Sequence, residues 1–428
     1  MRRGTLLLIA GLISEAVYFV LAWRMSWWSY GGTLNSWSLI LGRDGYTFGI
    51  CLVGIGVMIA AYVWGWRSVR TWGGPRWIVW GFAGLFAATL FWLLPITSDL
   101  FTYLSEAHLF TDLKANPLLV ATLGIDDPLL QAYPAQYAAR PSVYGPAWLL
   151  ISAPATLGRY DVAGGLSYLK GLSVIAYLAC AWLLERILLQ MRPTAAAEGL
   201  YLFAWNPLVL LMAVGDGHND IVMMAFVLLA LWWLLRERWV LAFGALALSV
   251  WIKYVSAFLF PFFVLYLWKR LDQMPWRKRW ARLVRGGAAA ATLSVLLFLP
   301  FWDPASISGI ASRFMQPTNW RGGAFPLSAW ALGLAVLLFV AACIIAMWRI
   351  LRGDASTQQW LNSVFGVSLA AFLLGAARSQ PWHLIWPAAL AGLSDRRWAW
   401  PVVIGLCAVM LAVQVWVEWG APGSRSLF

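Results

Sequence analysis

The run WIVWGFAGLFAATLFWLL, Trp77–Leu94, is followed at once by PITSDLFTY, Pro95–Tyr103. An uncharged apolar run of about 18 residues can cross the hydrocarbon core of a bilayer as a helix. The proline and the polar residues behind it end that run and open the largest polar insertion of the chain, about Ile96–Pro141. Asp99 therefore stands at the mouth of a membrane span. A carboxylate there is costly unless it is wet or paired, so it is a functional candidate by default.

Outward from this stretch, apolar runs recur along all 428 residues. The chain is 62% hydrophobic and 11% charged, with a mean hydropathy of +0.72. A soluble domain is about half apolar and about a quarter charged. The fold class is therefore an all-α polytopic membrane protein, with residues 1–428 forming a single transmembrane domain. The loops 96–143 and 302–323 elaborate it. The net charge of +13 does not mark a nucleic-acid binder, because the basic residues fall mostly in short loops between spans. Cys51, Cys180, Cys343 and Cys407 are far apart and inside apolar runs, as core residues would be. His108, His218 and His383 lack metal-site spacing. Arg2-Arg3 before Thr5–Trp23 resembles a signal peptide, but no small-residue cleavage site follows, and a retained first span is expected.

Long spans are expected at 5–23, 47–66, 77–95, 166–189, 196–213, 218–236, 286–301, 325–348, 359–377 and 398–418. Shorter apolar pieces lie at 144–157, 239–252, 255–268 and 381–394, giving about 11–13 transmembrane helices in all. Short or broken pieces at membrane depth point to a cavity. With the N-terminus cytoplasmic and 144–157 re-entrant, 20 of the 31 basic residues fall on inner loops, while 12 of the 18 acidic residues lie elsewhere. This asymmetry fits the orientation. It places the 96–143 loop, Gly215–Asp220, Lys253, the 302–323 loop and Arg378–His383 on the extracytoplasmic face. The cluster Arg277-Lys278-Arg279 with Arg282 and Arg285 then faces the cytoplasm, held by anionic lipid. Within the large loop, Ser98–Leu113 reads as an interfacial helix, with Leu100, Leu104, Ala107 and Phe110 on its apolar side. Asp99, Thr102, Ser105, Glu106, His108 and Asp112 fall mostly on the other. A second short element is expected from Asp126 to about Arg140.

Several stretches combine chemistry with placement. Asp99, with Tyr103 one turn on, suits a general base that takes the proton of an acceptor hydroxyl; helix capping is the plainer alternative. Gly215-Asp216-Gly217-His218-Asn219-Asp220 breaks the backbone between two spans. His218 and Asp220 there suit a phosphate or a sugar hydroxyl, and a tight turn is the alternative. Lys253 is a lone lysine in the apolar stretch Trp239–Trp268, where a lipid-linked phosphate would match it and snorkelling would also explain it. Arg378-Ser379-Gln380-Pro381-Trp382-His383 offers a guanidinium for phosphate and aromatic groups for a sugar face. Tyr144-Gly145-Pro146 makes a backbone corner and an acceptor contact. Asp303, Arg313, Gln316, Asn319 and Arg321 of the 302–323 loop are weaker contacts.

At these residues the chain resembles the GT-C glycosyltransferases that use polyprenyl-phosphate sugars, and most closely the polyprenol-phosphomannose-dependent α-(1→6)-mannosyltransferases of bacterial lipoglycan synthesis. The matching stretches, in order, are Ser98–Tyr103 with Asn116-Pro117 behind it, Tyr144-Gly145-Pro146, Trp205–Val209 running into Gly217–Asp220, Lys253, and Gln380–His383. Similar proteins often carry Trp-Tyr where this chain has Trp382-His383.

The resemblance implies a GT-C-type fold, with Asp99 as the catalytic carboxylate of an inverting transfer. It implies a polyprenyl-phosphate-linked sugar donor, mannose above all, and a glycan or glycolipid acceptor on the outer face. Lys253, Arg378, His218 and Asp220 are expected at the donor phosphate and sugar. Tyr103, Tyr144, Trp382, His383 and Gln380 are expected at the acceptor or the sugar. No phosphate-cradling glycine loop and no acidic metal pair stand out, so no cofactor and no metal are expected. The alternative is a transporter or flippase of a lipid-linked sugar, which would also carry ionisable residues at depth but should show internal repeats.

Overall fold

The computed structural model describes residues 3–28, 45–132, 138–157, 162–315, 329–353, 356–374 and 380–420. Among them, the helices of seven or more residues are α1 Arg3–Arg24, α2 Gly45–Trp72, α3 Arg76–Leu90, α4 Asp99–Thr111, α5 Pro146–Ser152, α6 Val162–Met191, α7 Ala196–Ala204 and α8 Asp220–Leu235. They continue as α9 Trp239–Ile252, α10 Phe260–Arg270, α11 Trp276–Phe298, α12 Pro304–Met315, α13 Ala329–Arg352, α14 Thr357–Leu374, α15 Ile385–Ala391 and α16 Ala399–Gly420. Extended pairing among the described residues is confined to one bridge, between Ser26 and Leu93. The chain is an all-α polytopic membrane protein.

Six described helices are long and apolar enough to cross a membrane: α1, α2, α6, α11, α13 and α16. The pair Pro193–Ala204 and Pro207–Gly215 makes a seventh if taken as one span bent by 47°. The expected 11–13 also counts shorter apolar helices, among them α3, α8 and α9.

Three differences from the sequence reading have local causes. The run 77–95 stops being helical at Leu90, because the backbone beyond it turns aside to pair with the end of α1, Leu94 N–H donating to Met25 O at 2.7 Å. Helix α11 starts at Trp276, ten residues before the expected span, so the basic cluster forms its first turns. Arginine and lysine are strong helix formers, and Pro275 supplies the start. Helix α4 has no wet face. Both its apolar side and its polar side, Asp99, Thr102, Ser105, Glu106 and His108 included, are covered by protein. Of the second loop element, Pro128–Ala132 is helical, with Asp127 Oδ1 accepting from Leu129 N–H and Leu130 N–H, and 133–137 lie outside the described residues.

Helix α4 packs on α5, on the 3-10 turn Ala153–Ala155 and on α6. Helices α8 and α9 run antiparallel against each other, α9 packs on α5 and α11, and α8 packs on α6 and α15. The start of α8, the end of α9 and the start of α4 thereby meet at one end of the bundle. The start of α11 is at the other, because its far end, Phe298, lies beside Trp251 near the end of α9, ring centroids 4.8 Å apart.

Candidate active site

The site begins where α3 ends. Thr97 is fixed by Asp216, its N–H donating to Oδ1 at 2.8 Å and its hydroxyl to Oδ2 at 3.1 Å. Ser98 occupies the N-cap of α4 but makes no side-chain cap, and Asp99 opens the helix. The Asp99 carboxylate turns inward. Its Oδ2 lies 3.1 Å from His218 Nδ1 and accepts from the Tyr144 hydroxyl at 3.4 Å. Its Oδ1 is buried and has no hydrogen-bond partner among the described residues. Helix capping thus does not account for Asp99.

The second stretch comes from a broken helix. Asn206 caps the turn after Trp205, its Oδ1 accepting from Leu208 N–H and Val209 N–H, and Pro207 takes the first helical position where no N–H is needed. A π-helical turn, Leu210–Gly215, follows; such turns gather at functional sites. Gly217 has φ of +78°, which other residues rarely adopt, and a Cβ there would lie 2.8 Å from Leu100, the residue after Asp99. This tight turn delivers His218 between two carboxylates, Asp99 through Nδ1 and Asp216 through Nε2 at 2.7 Å. The imidazole is fully buried and stacks on Trp382, centroids 4.0 Å apart. Both ring nitrogens therefore face carboxylates, Nδ1 toward Asp99 and Nε2 toward Asp216.

Asp220 is likewise committed. Lys253 Nζ donates to its Oδ2 at 2.6 Å and Trp386 Nε1 to its Oδ1 at 2.5 Å. The anion that burial demands for Lys253 is therefore supplied first by the protein, although the Lys253 side chain keeps 19% of its surface exposed while Asp220 keeps none. Lys253 reaches this position because α9 ends there and the backbone turns extended. Gly145 makes the approach possible: a Cβ on it would overlap the Trp251 carbonyl oxygen. Tyr254 closes the same corner, its hydroxyl donating to Tyr144 O at 3.2 Å. Tyr103 packs edge-on against Tyr144 and Trp148, and its hydroxyl accepts from Asn219 N–H at 3.4 Å.

Burial raises the Asp99 carboxyl, but the His218 hydrogen bond and charge, with the Lys253 charge and the Tyr144 hydroxyl, outweigh it and hold it below the usual 3.8. Burial lowers the His218 imidazole, and the Asp216 and Asp99 carboxylates overturn that, raising it to about 9. At neutral pH the pair is an imidazolium against a carboxylate.

Of the expected site residues, the structure brings together Asp99, Tyr103, Tyr144, His218, Asp220, Lys253 and Trp382. Gln380 and His383 are nearby but cap one another: Gln380 N–H donates to His383 Nδ1, and the Gln380 side chain accepts from the His383 backbone. Arg378, Gln316, Asn319 and Arg321 lie outside the described residues. Sequence reasoning gave no role to Trp386 and Thr97, which gain meaning only through long-range contacts, or to Asp216, which pairs with His218 two residues on. It also missed Lys170, a fully buried lysine inside α6, whose ammonium donates to Leu93 O at 2.8 Å, Val214 O at 3.3 Å and Gly215 O at 2.5 Å. Lys170 ties the strand leading to Asp99 to the turn leading to His218. The lone-charge argument that singled out Lys253 applies to it equally.

A multi-pass helical membrane protein with a buried carboxylate–imidazolium cluster at one end of its bundle is the class that fold and site define. Residues 8–269 match the family described as alpha-(1->6)-mannopyranosyltransferase, N-terminal domain. The alpha-(1->6)-mannopyranosyltransferase A of Mycobacterium tuberculosis is 25% identical over 91% of this chain and 78% of its own length. The alpha-(1->6)-mannopyranosyltransferase B of Corynebacterium glutamicum is 28% identical over 33% of this chain and 25% of its own length. The chain belongs to the alpha-(1->6)-mannopyranosyltransferase family and is a membrane glycosyltransferase.

Proposed function

We propose that the protein transfers a mannosyl unit from a polyprenyl-phosphate donor to a hydroxyl of a glycan or glycolipid on the extracytoplasmic face, with inversion and with Asp99 as the base. The names of the relatives support the sugar. The observation that carries the mechanism is the division of labour within one carboxylate: Oδ2 faces His218 and Tyr144, while buried Oδ1 has no hydrogen-bond partner among the described residues.

In this reading the acceptor oxygen attacks the anomeric carbon as the bond to the phosphate oxygen breaks. The acceptor proton passes to Asp99 Oδ1, and the bonding pair leaves with the phosphate. Charge then grows on the departing phosphate, where a preorganised cation is most effective. Lys253 Nζ fills that role, having donors beyond the one Asp220 uses and part of its surface open. Arg378 is proposed beside it on sequence grounds. His218 acts on Asp99 rather than on phosphate, holding it ionised and oriented. The other two carboxylates, Asp216 and Asp220, are fully buried and paired, so neither is placed as the nucleophile that a double displacement needs. This supports a single inverting displacement.

Purified protein in lipid, given polyprenyl-phosphate-mannose, polyprenyl-phosphate-glucose and an oligomannoside acceptor, tests the reading. Expected is a new mannosidic bond whose anomeric configuration, read by NMR coupling, is opposite to that of the donor. Retention of configuration would overturn the single displacement. Movement of the donor across the bilayer without a new bond would mean a flippase instead.

A further inference from the structure

Nearly every polar side chain around the turn Gly215–Asp220 is spoken for. Asp216 holds Thr97 and His218, His218 holds Asp99, and Asp220 holds Lys253 and Trp386. Asn219 is the exception. It is fully buried, yet neither its Nδ2 nor its Oδ1 has a hydrogen-bond partner among the described residues. A buried amide left unpaired is destabilising, and natural structures seldom keep one without a use for it.

Asn219 also declines the task its position offers. It is the N-cap residue of α8, the place where an asparagine Oδ1 ordinarily accepts from the first free backbone N–H groups. Its backbone is helical there, φ −64° and ψ −9°, and its side chain makes no cap bond. Its backbone N–H is anchored to the Tyr103 hydroxyl, so the residue is fixed between the one that orients Asp99 and the one that pairs with Lys253. Among the described residues, the one aspartate oxygen of this cluster that is also buried and unpaired is Asp99 Oδ1.

We propose that Asn219 is a specificity-determining residue that reads two neighbouring hydroxyls of the transferred sugar, Nδ2–H donating to one oxygen and Oδ1 accepting the hydroxyl proton of the next. A primary amide offers a donor and an acceptor side by side, the complement of a vicinal diol. It is also neutral, so it holds hydroxyls without competing with Asp99 for a proton. The inference rests on the transferase reading above. A site built to hydrogen-bond a hydroxyl discriminates strongly against a ligand lacking it, because its own buried groups are then left unpaired.

The test uses the full chain, wild type and Asn219→Ala, with polyprenyl-phosphate-mannose and its 2-, 3-, 4- and 6-deoxy analogues. Expected for wild type is a loss of about 10- to 100-fold in kcat/KM with two analogues deoxy at adjacent carbons. Asn219→Ala should lose a similar factor on the complete sugar and then be indifferent to those same two deletions, a non-additivity that marks direct contact. Without donor its melting temperature should equal or exceed that of wild type, since an unpaired amide is gone, while the rise caused by bound donor shrinks. A wild type indifferent to every pair of adjacent deletions would overturn the inference, and so would an Asn219→Ala enzyme that loses equally on all five donors. The donor-induced melting shift scores the contact even where no transfer occurs. A wild type that binds these donors with the expected pattern but transfers none would break the transferase reading alone.

Discussion

In the proposed mechanism the chemistry reduces to how one carboxylate is kept ionised out of water. Desolvation would protonate Asp99, and His218 prevents it by carrying a positive charge that Asp216 helps to hold. The pH dependence follows. Asp99 lies below its ordinary 3.8, so its favourable contribution to folding is complete above that value and is lost as pH falls through the lowered one. His218 is raised from 6.5 to about 9, so its contribution is complete below 6.5 and is lost as pH rises through about 9. Expected is a kcat/KM profile flat through neutrality, with its alkaline limb near 9, measured alongside melting temperature. His218→Gln removes the cation and should move the acid limb of the profile upward; an unmoved limb would leave Asp99 without this partner. Asp99 was legible in the sequence because a carboxylate at the mouth of a span needs an explanation. The part proposed for His218 was not, since Asp99 and Trp382 lie far from it in the chain and a histidine after a glycine suits phosphate equally well.

The site depends on elements coming closer than side chains allow. Gly145 lets α5 abut the end of α9, and with it Tyr144 and Lys253 face one cluster. Gly145→Ala forces that backbone apart and should cost about 1–3 kcal/mol of stability, together with most activity. Gly171→Ala in α6, where a Cβ would meet nothing within 4 Å, is the control and should leave both unchanged. Lys170 is the complementary device, drawing the Leu93 and Gly215 carbonyls together. Lys170→Met strands buried carbonyls and should lower the melting temperature and the transfer rate together. Element positions were largely visible in hydropathy: 239–252 matches α9 at both ends, and 166–189 lies within α6. The surroundings of α4 were not. Its alternating polar and apolar sides read as a wet helix, but α5 and α6 cover it, which periodicity within one helix cannot reveal.

At the scale of the whole molecule, the cluster around Asp99 and the basic start of α11 occupy opposite ends of the bundle. With 23 residues in α11, they stand roughly 34 Å apart along its axis. The positive-inside rule applied to that separation gives the proposed orientation, with the site outward. A membrane-impermeant thiol reagent applied to intact cells should label Asp126→Cys and spare Lys278→Cys, both exposed positions; the reverse pattern would turn the protein over. Five short motifs spread from Ser98 to His383 suggested this convergence, and the fold realises it for Asp99, Tyr144, His218, Lys253 and Trp382. The transfer rate of Asp99→Asn from saturating polyprenyl-phosphate-mannose, with donor affinity measured on the same sample, tests the assignment of the base most directly. With Asp99 as the base, the rate falls by about 10²–10⁴-fold while donor affinity stays near that of wild type. A rate close to wild type would contradict it.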